Sequence, residues 1–137
     1  MFRRFQILVA DRNPNVRRFL TRELVAAGFD VRAFENACEL LEGLAGKPAP
    51  NLVVLDPDLP DTDGPSLFVD LQQQAPKVPV IIHTFLSDWS DTSPHMTRAA
   101  AFVEKGANSV EKLIREVRRL CGAADRSAPG EITHRGN

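Results

Sequence analysis

The stretch Leu52-Val53-Val54-Leu55-Asp56-Pro57-Asp58-Leu59-Pro60-Asp61-Thr62-Asp63-Gly64 constrains the fold more than any other part of the chain. A run of apolar, largely branched residues ends abruptly in a carboxylate, and a loop rich in Pro, Asp and Gly follows. Continuous apolar character without alternation marks a strand covered on both faces, which is the environment of a parallel sheet. A parallel strand that stops at a polar loop sets its last side chain at the carboxyl edge of the sheet, where open α/β folds place their ligands. Asp56 is therefore expected at a site rather than in a core.

Three further runs end the same way. Ile7-Leu8-Val9-Ala10 stops at Asp11, with Arg12-Asn13-Pro14 behind it. Val78-Pro79-Val80-Ile81-Ile82-His83 stops at Thr84, and Ala101-Phe102-Val103-Glu104 stops at Lys105-Gly106. Two carboxylates, a hydroxyl and an ammonium thus converge on one sheet edge. Carboxylates hold a hard divalent cation, and cation, hydroxyl and ammonium together hold phosphoryl oxygens.

Helical patterns fill the spaces between these strands. Asn13-Pro14 is a start signal, with Asn as N-cap and Pro at the first helical position. Val16, Phe19, Leu20, Leu24 and Ala27 then recur at helical spacing up to Gly28. Residues 30–34 read as a short strand. Asn36 opens the next helix with Glu39 in capping-box register, and Ala37, Leu40, Leu41 and Leu44 form its apolar face. Gly64-Pro65 opens a helix carrying Leu67, Phe68 and Leu71. Asn108 or Ser109 caps a last helix with a stripe of Val110, Leu113, Ile114, Val117, Leu120 and Cys121. Residues 87–100, which include Trp89, His95 and Met96, are loop-like and polar, and read either as a short helix from about Pro94 to Arg98 or as an irregular segment. From Gly122 on, periodicity gives way to Gly, Ser, Pro and charge, so one domain is expected over residues 1–121 and a flexible tail over residues 122–137. Strand and helix alternating in this way predict a flavodoxin-like (βα)5 fold, a doubly wound five-stranded parallel sheet of order 2-1-3-4-5.

Bulk properties exclude several classes. The 137 residues carry a formal net charge of −1, which offers no footing for general nucleic-acid or membrane-surface binding. No run approaches the ~20 apolar residues of a membrane span. Two cysteines, Cys38 and Cys121, make no disulfide framework, and Met1-Phe2-Arg3-Arg4 leads into the first strand without an apolar signal segment. The expectation is a reduced cytoplasmic protein.

With these residues in view, the chain resembles the receiver domain of two-component response regulators from about Phe5 to Cys121. The resemblance implies that Asp56 accepts a phosphoryl group from a histidine kinase or phosphotransfer protein, and that the chain is a stand-alone signalling module rather than an enzyme. It implies Mg²⁺ held by Asp11, Asp56 and the backbone carbonyl of Asp58. It makes Thr84 the switch hydroxyl, moving towards a phosphoryl oxygen so that Phe102 can turn inward, and it pairs Lys105 with Asp56. Asp61 and Asp63 are expected to shape the turn and cap the helix at Gly64-Pro65.

The chain departs from the family at several points. Arg12 stands where a second acidic residue usually helps to place the metal. Its charge removes a ligand and repels the ion unless the side chain swings outward; alternatively it reaches the phosphoryl group itself. Pro57 removes a backbone donor beside the acceptor, Phe85 replaces a small residue after Thr84, and Gly106 replaces the proline after the lysine. These departures motivate a second reading, a pseudo-receiver that binds a protein partner with little or no phosphorylation. A third reading, an aspartyl-phosphate phosphatase, draws on Asp56-Pro57-Asp58 but lacks the accompanying pattern, since Pro60 occupies the Thr or Val position. A flavin site is unsupported because Asp11-Arg12-Asn13-Pro14 is no phosphate loop.

Overall fold

A computed structural model describes residues 4–85 and 98–127. The elements in chain order are β1 (Gln6–Ala10), α1 (Pro14–Ala26), β2 (Asp30–Phe34), α2 (Ala37–Leu44), β3 (Leu52–Leu55), α3 (Pro65–Gln74), β4 (Val80–Thr84), β5 (Ala101–Glu104) and α4 (Ser109–Ser127). The strands form one parallel sheet in the order β2-β1-β3-β4-β5, as the alternating pattern predicts.

Period-two side-chain alternation divides the core into two layers. Leu8, Ala10, Val53, Leu55 and Ile82 point to one face and pack against Leu40 and Leu44 of α2 and Leu67, Phe68 and Leu71 of α3. Ile7, Val9, Leu52, Val54, Ile81 and Val103 point to the other and meet Leu20 and Leu24 of α1 and Leu113 and Val117 of α4. With both faces covered, β1 and β3 are buried at every position, which is why neither alternates in sequence.

Local signals set the helix ends. Asn13 Oδ1 accepts from the amides of Asn15 (2.8 Å) and Val16 (3.4 Å), the N-terminal donors that α1 cannot satisfy internally. At the other end Gly28 adopts φ +104°, and the Phe29 amide reaches back to the Leu24 carbonyl at 3.1 Å, closing a Schellman turn that turns the chain into β2.

Two ends differ from expectation. Glu39 bonds the amide of Glu35 at 3.5 Å rather than that of the N-cap Asn36. Helix α4 continues to Ser127, past the boundary expected at Cys121, because Ala123 and Ala124 have the highest helix propensity and carry the helix over Gly122. The expected short helix from about Pro94, with Trp89, His95 and Met96, lies outside the described residues. No helix among the described residues is long and apolar enough to cross a membrane.

Candidate functional site at the carboxyl edge of the sheet

Strand register brings the site together. Ala10 pairs with Leu55 and Thr84 with Glu104, so Asp11, Asp56, Thr84 and Lys105 emerge side by side from β1, β3, β4 and β5. All three polar residues at the ends of the inner strands are buried: Asp11 is 1%, Asp56 5% and Thr84 0% exposed. Burial of groups this polar is tolerable only with partners, and each has them.

Asp56 is held at both carboxylate oxygens. Its Oδ1 accepts from the Thr84 hydroxyl (2.9 Å) and from the Asp58 amide (2.9 Å). Its Oδ2 accepts from Lys105 Nζ at 2.7 Å. The same ammonium lies 2.7 Å from Asp11 Oδ2, an ionic contact without directed hydrogen-bond geometry, so that this buried oxygen has no hydrogen-bond partner among the described residues. Asp11 Oδ1 accepts from the Asn13 amide at 2.9 Å, which ties the carboxylate to the start of α1. Lys105 thus bridges two carboxylates.

The titration behaviour follows from this geometry. Burial raises the Asp11 carboxyl above its ordinary range, and the Lys105 ammonium and the Asn13 hydrogen bond oppose that rise without cancelling it. Burial works against the Lys105 ammonium, but its bonds to Asp11 and Asp56 outweigh the penalty and hold it above the usual lysine range. Behind the site, His83 is buried, contacts Ser109 Oγ at 3.3 Å and titrates at about 4, through burial first and the nearby Lys105 charge second.

Arg12 lies at the rim, with its side chain 51% exposed. It swings neither outward nor in among the two carboxylates. Its Nε donates to the Asp58 carbonyl at 3.0 Å, and its Nη2 lies 3.3 Å from Asp58 Oδ1. This bears directly on a metal. Asp11 and Asp56 bring two buried carboxylates together, and Asp11 Oδ2 has no hydrogen-bond partner among the described residues, but the third donor of the expected set, the Asp58 carbonyl, already accepts from a cation. Among the described residues no group of three His, Cys, Asp or Glu side chains could hold a metal ion. The residues present fit a divalent cation at two donors of three.

Other expected participants are placed as follows. Phe102 stands in β5 opposite Ile82 and is 37% exposed. The Thr84 hydroxyl donates to Asp56 Oδ1, beside the atom that would carry a phosphoryl group. The exposed Phe85 carries Lys105 Nζ 5.3 Å from its ring centroid, a cation–π contact at the mouth of the site. Beside it a recess of about 410 Å³ is lined by Phe19, His83, Phe85, Lys105, Gly106 and Ser109, among others. The Asp61 expectation is corrected. Its carboxylate accepts from the amides of Ala37 (2.8 Å) and Cys38 (2.9 Å), capping α2 across the sheet edge, while Asp63 alone caps α3 through Ser66. Lys47–Pro48 is the cis peptide among the described residues, and Lys105–Gly106 is trans.

Sequence reading missed Arg17. Its Nη1 donates to the Asp11 carbonyl at 2.7 Å and its Nη2 lies 3.6 Å from Glu35, so it fastens the loop after β1 to the end of β2. The signal was its place one helical turn after the N-cap Asn13, which turns it back towards the strand end.

Comparison with known proteins agrees with this arrangement. The sequence profile described as response regulator receiver domain matches residues 7–118. The DNA-binding transcriptional regulator NtrC of Escherichia coli is 39% identical over 82 residues, 60% of this chain. The match spans only 17% of that protein's length. Among solved structures, the response regulator TrrA of Thermotoga maritima, in complex with Mg²⁺-BeF, superposes with a TM-score of 0.75 at 27% identity, covering 85% of this chain and 98% of that one. TrrA in complex with the histidine kinase ThkA gives 0.74 at 25% identity, covering 85% and 97%.

Proposed function

The chain belongs to the response regulator receiver domain family, and from that membership we propose that it is a phosphoacceptor signalling module whose acceptor is Asp56. One observation carries the reading: a buried carboxylate bonded at once by a hydroxyl from β4 and an ammonium from β5. Oδ1 already accepts two hydrogen bonds, whereas Oδ2 accepts one and keeps a lone pair for attack on phosphorus. A new Oδ2–P bond forms while the P–N bond of a donor phosphohistidine breaks, its electron pair returning to the imidazole. Lys105 then follows the negative charge from the carboxylate to the transferred phosphoryl oxygens, and Thr84 offers its hydroxyl to one of them. The module is not an enzyme in this reading. A histidine kinase or phosphotransfer protein supplies the group, a downstream protein reads the altered surface, and the cytoplasm is the compartment.

Mg²⁺ is the family's cofactor, as the TrrA complex illustrates. In this chain the carboxylates of Asp11 and Asp56 would hold it, with the Asp58 carbonyl contributing only once Arg12 lets go. Bound there, it would supply positive charge for the incoming phosphoryl oxygens.

A second reading, a protein-binding module that takes little or no phosphoryl group, is favoured by the Arg12 contact to Asp58 and by Phe85 over Lys105. Intact mass after incubation with acetyl phosphate and Mg²⁺, run beside Asp56→Asn, separates the two. The acceptor reading expects one phosphoryl adduct on the wild type and none on the variant. An equal adduct on both proteins, or none on either even with a donor kinase, rejects it.

A further inference from the structure

We propose that Arg12 is the resident cation of this site, and that it and a divalent ion are mutually exclusive occupants of one position. The proposal takes the location of the site from the phosphoacceptor reading and nothing else. It rests on which oxygens the guanidinium takes. Arg12 bonds both the main-chain carbonyl and the carboxylate of Asp58, at 3.0 and 3.3 Å. Two contacts from one planar group to one residue fix that group over the loop despite its exposure. The carbonyl is the neutral donor that a metal would need beside Asp11 and Asp56.

Charge points the same way. Lys105 already stands against the two buried carboxylates, Asp11 and Asp56, and Arg12 against the carboxylate of Asp58 at the rim. A divalent ion added to this set would sit beside a guanidinium with no acidic residue at position 12 to offset it. Mg²⁺ also demands near-octahedral oxygen geometry and gives up its waters reluctantly, so a carbonyl shared with an N–H donor is a poor ligand. Like charges about 4 Å apart, at a surface-like dielectric, weaken binding by on the order of 100-fold or more. The guanidinium carries five N–H donors, more than these two contacts use.

The test is a Mn²⁺ titration of the full chain followed by electron paramagnetic resonance of the free ion, which needs no phosphorylation. Wild type, Arg12→Ala and Arg12→Asp are compared, with Arg12→Asp/Asp11→Asn as the site control. Arg12 is a rim residue, so its variants should keep the wild-type circular dichroism spectrum. The expected order is Arg12→Asp tightest, by on the order of 100-fold over wild type, with Arg12→Ala between them. The gain should vanish when Asp11→Asn is added. The proposal is overturned if wild type binds Mn²⁺ within threefold of Arg12→Asp, or if the gain survives Asp11→Asn. A missing phosphoryl adduct alongside the expected Mn²⁺ order would sink the phosphoacceptor reading and leave this one standing. An adduct with wild-type Mn²⁺ binding already tight would do the reverse.

Discussion

Replacing Lys105 with methionine removes the one ammonium between Asp11 and Asp56 while keeping an apolar stem of similar length. The ammonium stands 2.7 Å from both carboxylates, and its side chain is 9% exposed. Deleting one partner of a buried ion pair leaves uncompensated charge and costs about 3–5 kcal/mol. Two features limit the cost here. Asp56 keeps the Thr84 hydroxyl and the Asp58 amide, and Asp11 keeps the Asn13 amide. One carboxylate can also take up a proton. At pH 7, protonating a carboxyl whose ordinary value is 3.8 costs about 4 kcal/mol, at about 1.4 kcal/mol per unit, and that figure caps the penalty. The expected loss at pH 7 is therefore about 3 kcal/mol.

The pH dependence separates this account from simple loss of packing. In the variant the folded-state carboxyl value rises above the unfolded 3.8. Stability tied to such a group is fully present below the unfolded value and is lost as pH rises through the folded one. The cap therefore falls to about 1.5 kcal/mol at pH 5, and the difference between variant and wild type should shrink by about half. Burial already raises Asp11 in the wild type, which gives it a weaker trend of the same sign. Urea denaturation followed by far-ultraviolet circular dichroism at pH 7 and pH 5 measures both quantities. A loss under about 1 kcal/mol at pH 7, or the same loss at both pH values, would refute the buried-bridge account.

Other perturbations test other parts of the structure. His83 titrates at about 4 against an ordinary 6.5, so it contributes stability present above 6.5 and lost as pH falls towards 4, up to about 3 kcal/mol in all. Between pH 7.5 and 4.5 wild type should lose stability relative to His83→Leu, and parallel curves would contradict this. Asp61→Ala should speed hydrogen exchange at the Ala37 and Cys38 amides; unchanged exchange at both would dismiss the α2 cap. A Cβ at Gly43 would collide with the Phe34 ring, so Gly43→Ala should destabilise by about 1–2 kcal/mol although alanine favours a helix, and a raised urea midpoint would show that the ring yields freely.

Much of this molecule can be read from the chain because its determinants are local. Ile7 to Ala10 and Leu52 to Leu55 announce two-sided burial by their lack of alternation, and Asn13-Pro14 and Gly28 carry their end signals within a few residues. Alternating strands and helices make the strands parallel, so their carboxyl ends share one edge and the strand-end residues could be grouped without coordinates. The end of α4 was less legible, because Gly122 and the polar residues near it mask the helical preference of Ala123 and Ala124. Asp61 shows a different limit. An aspartate three residues before Gly64-Pro65 fits a cap for the helix just ahead, yet the amides it serves belong to α2, more than twenty residues earlier. Amides exposed at a helix start take whichever carboxylate the fold brings to them.

Arg12 is the sharpest case of what a one-dimensional reading leaves open. Charge at that position is evident in the sequence, and its conflict with a metal follows from sign alone. Which oxygen the guanidinium takes does not, because Asp58 is 46 residues away and both ends of the contact sit on loops. The three possibilities of repelling a metal from a distance, swinging outward or reaching into the site differ by a few ångströms of side-chain placement. The observed contact places the guanidinium on Asp58. Arg12 takes the neutral carbonyl donor and leaves the two charged ones to Lys105. A lysine could make one such contact as a point charge. The planar fork of arginine joins carbonyl and carboxylate of the same residue, so the departure from an acidic pair is a specific piece of chemistry and not merely a lost ligand.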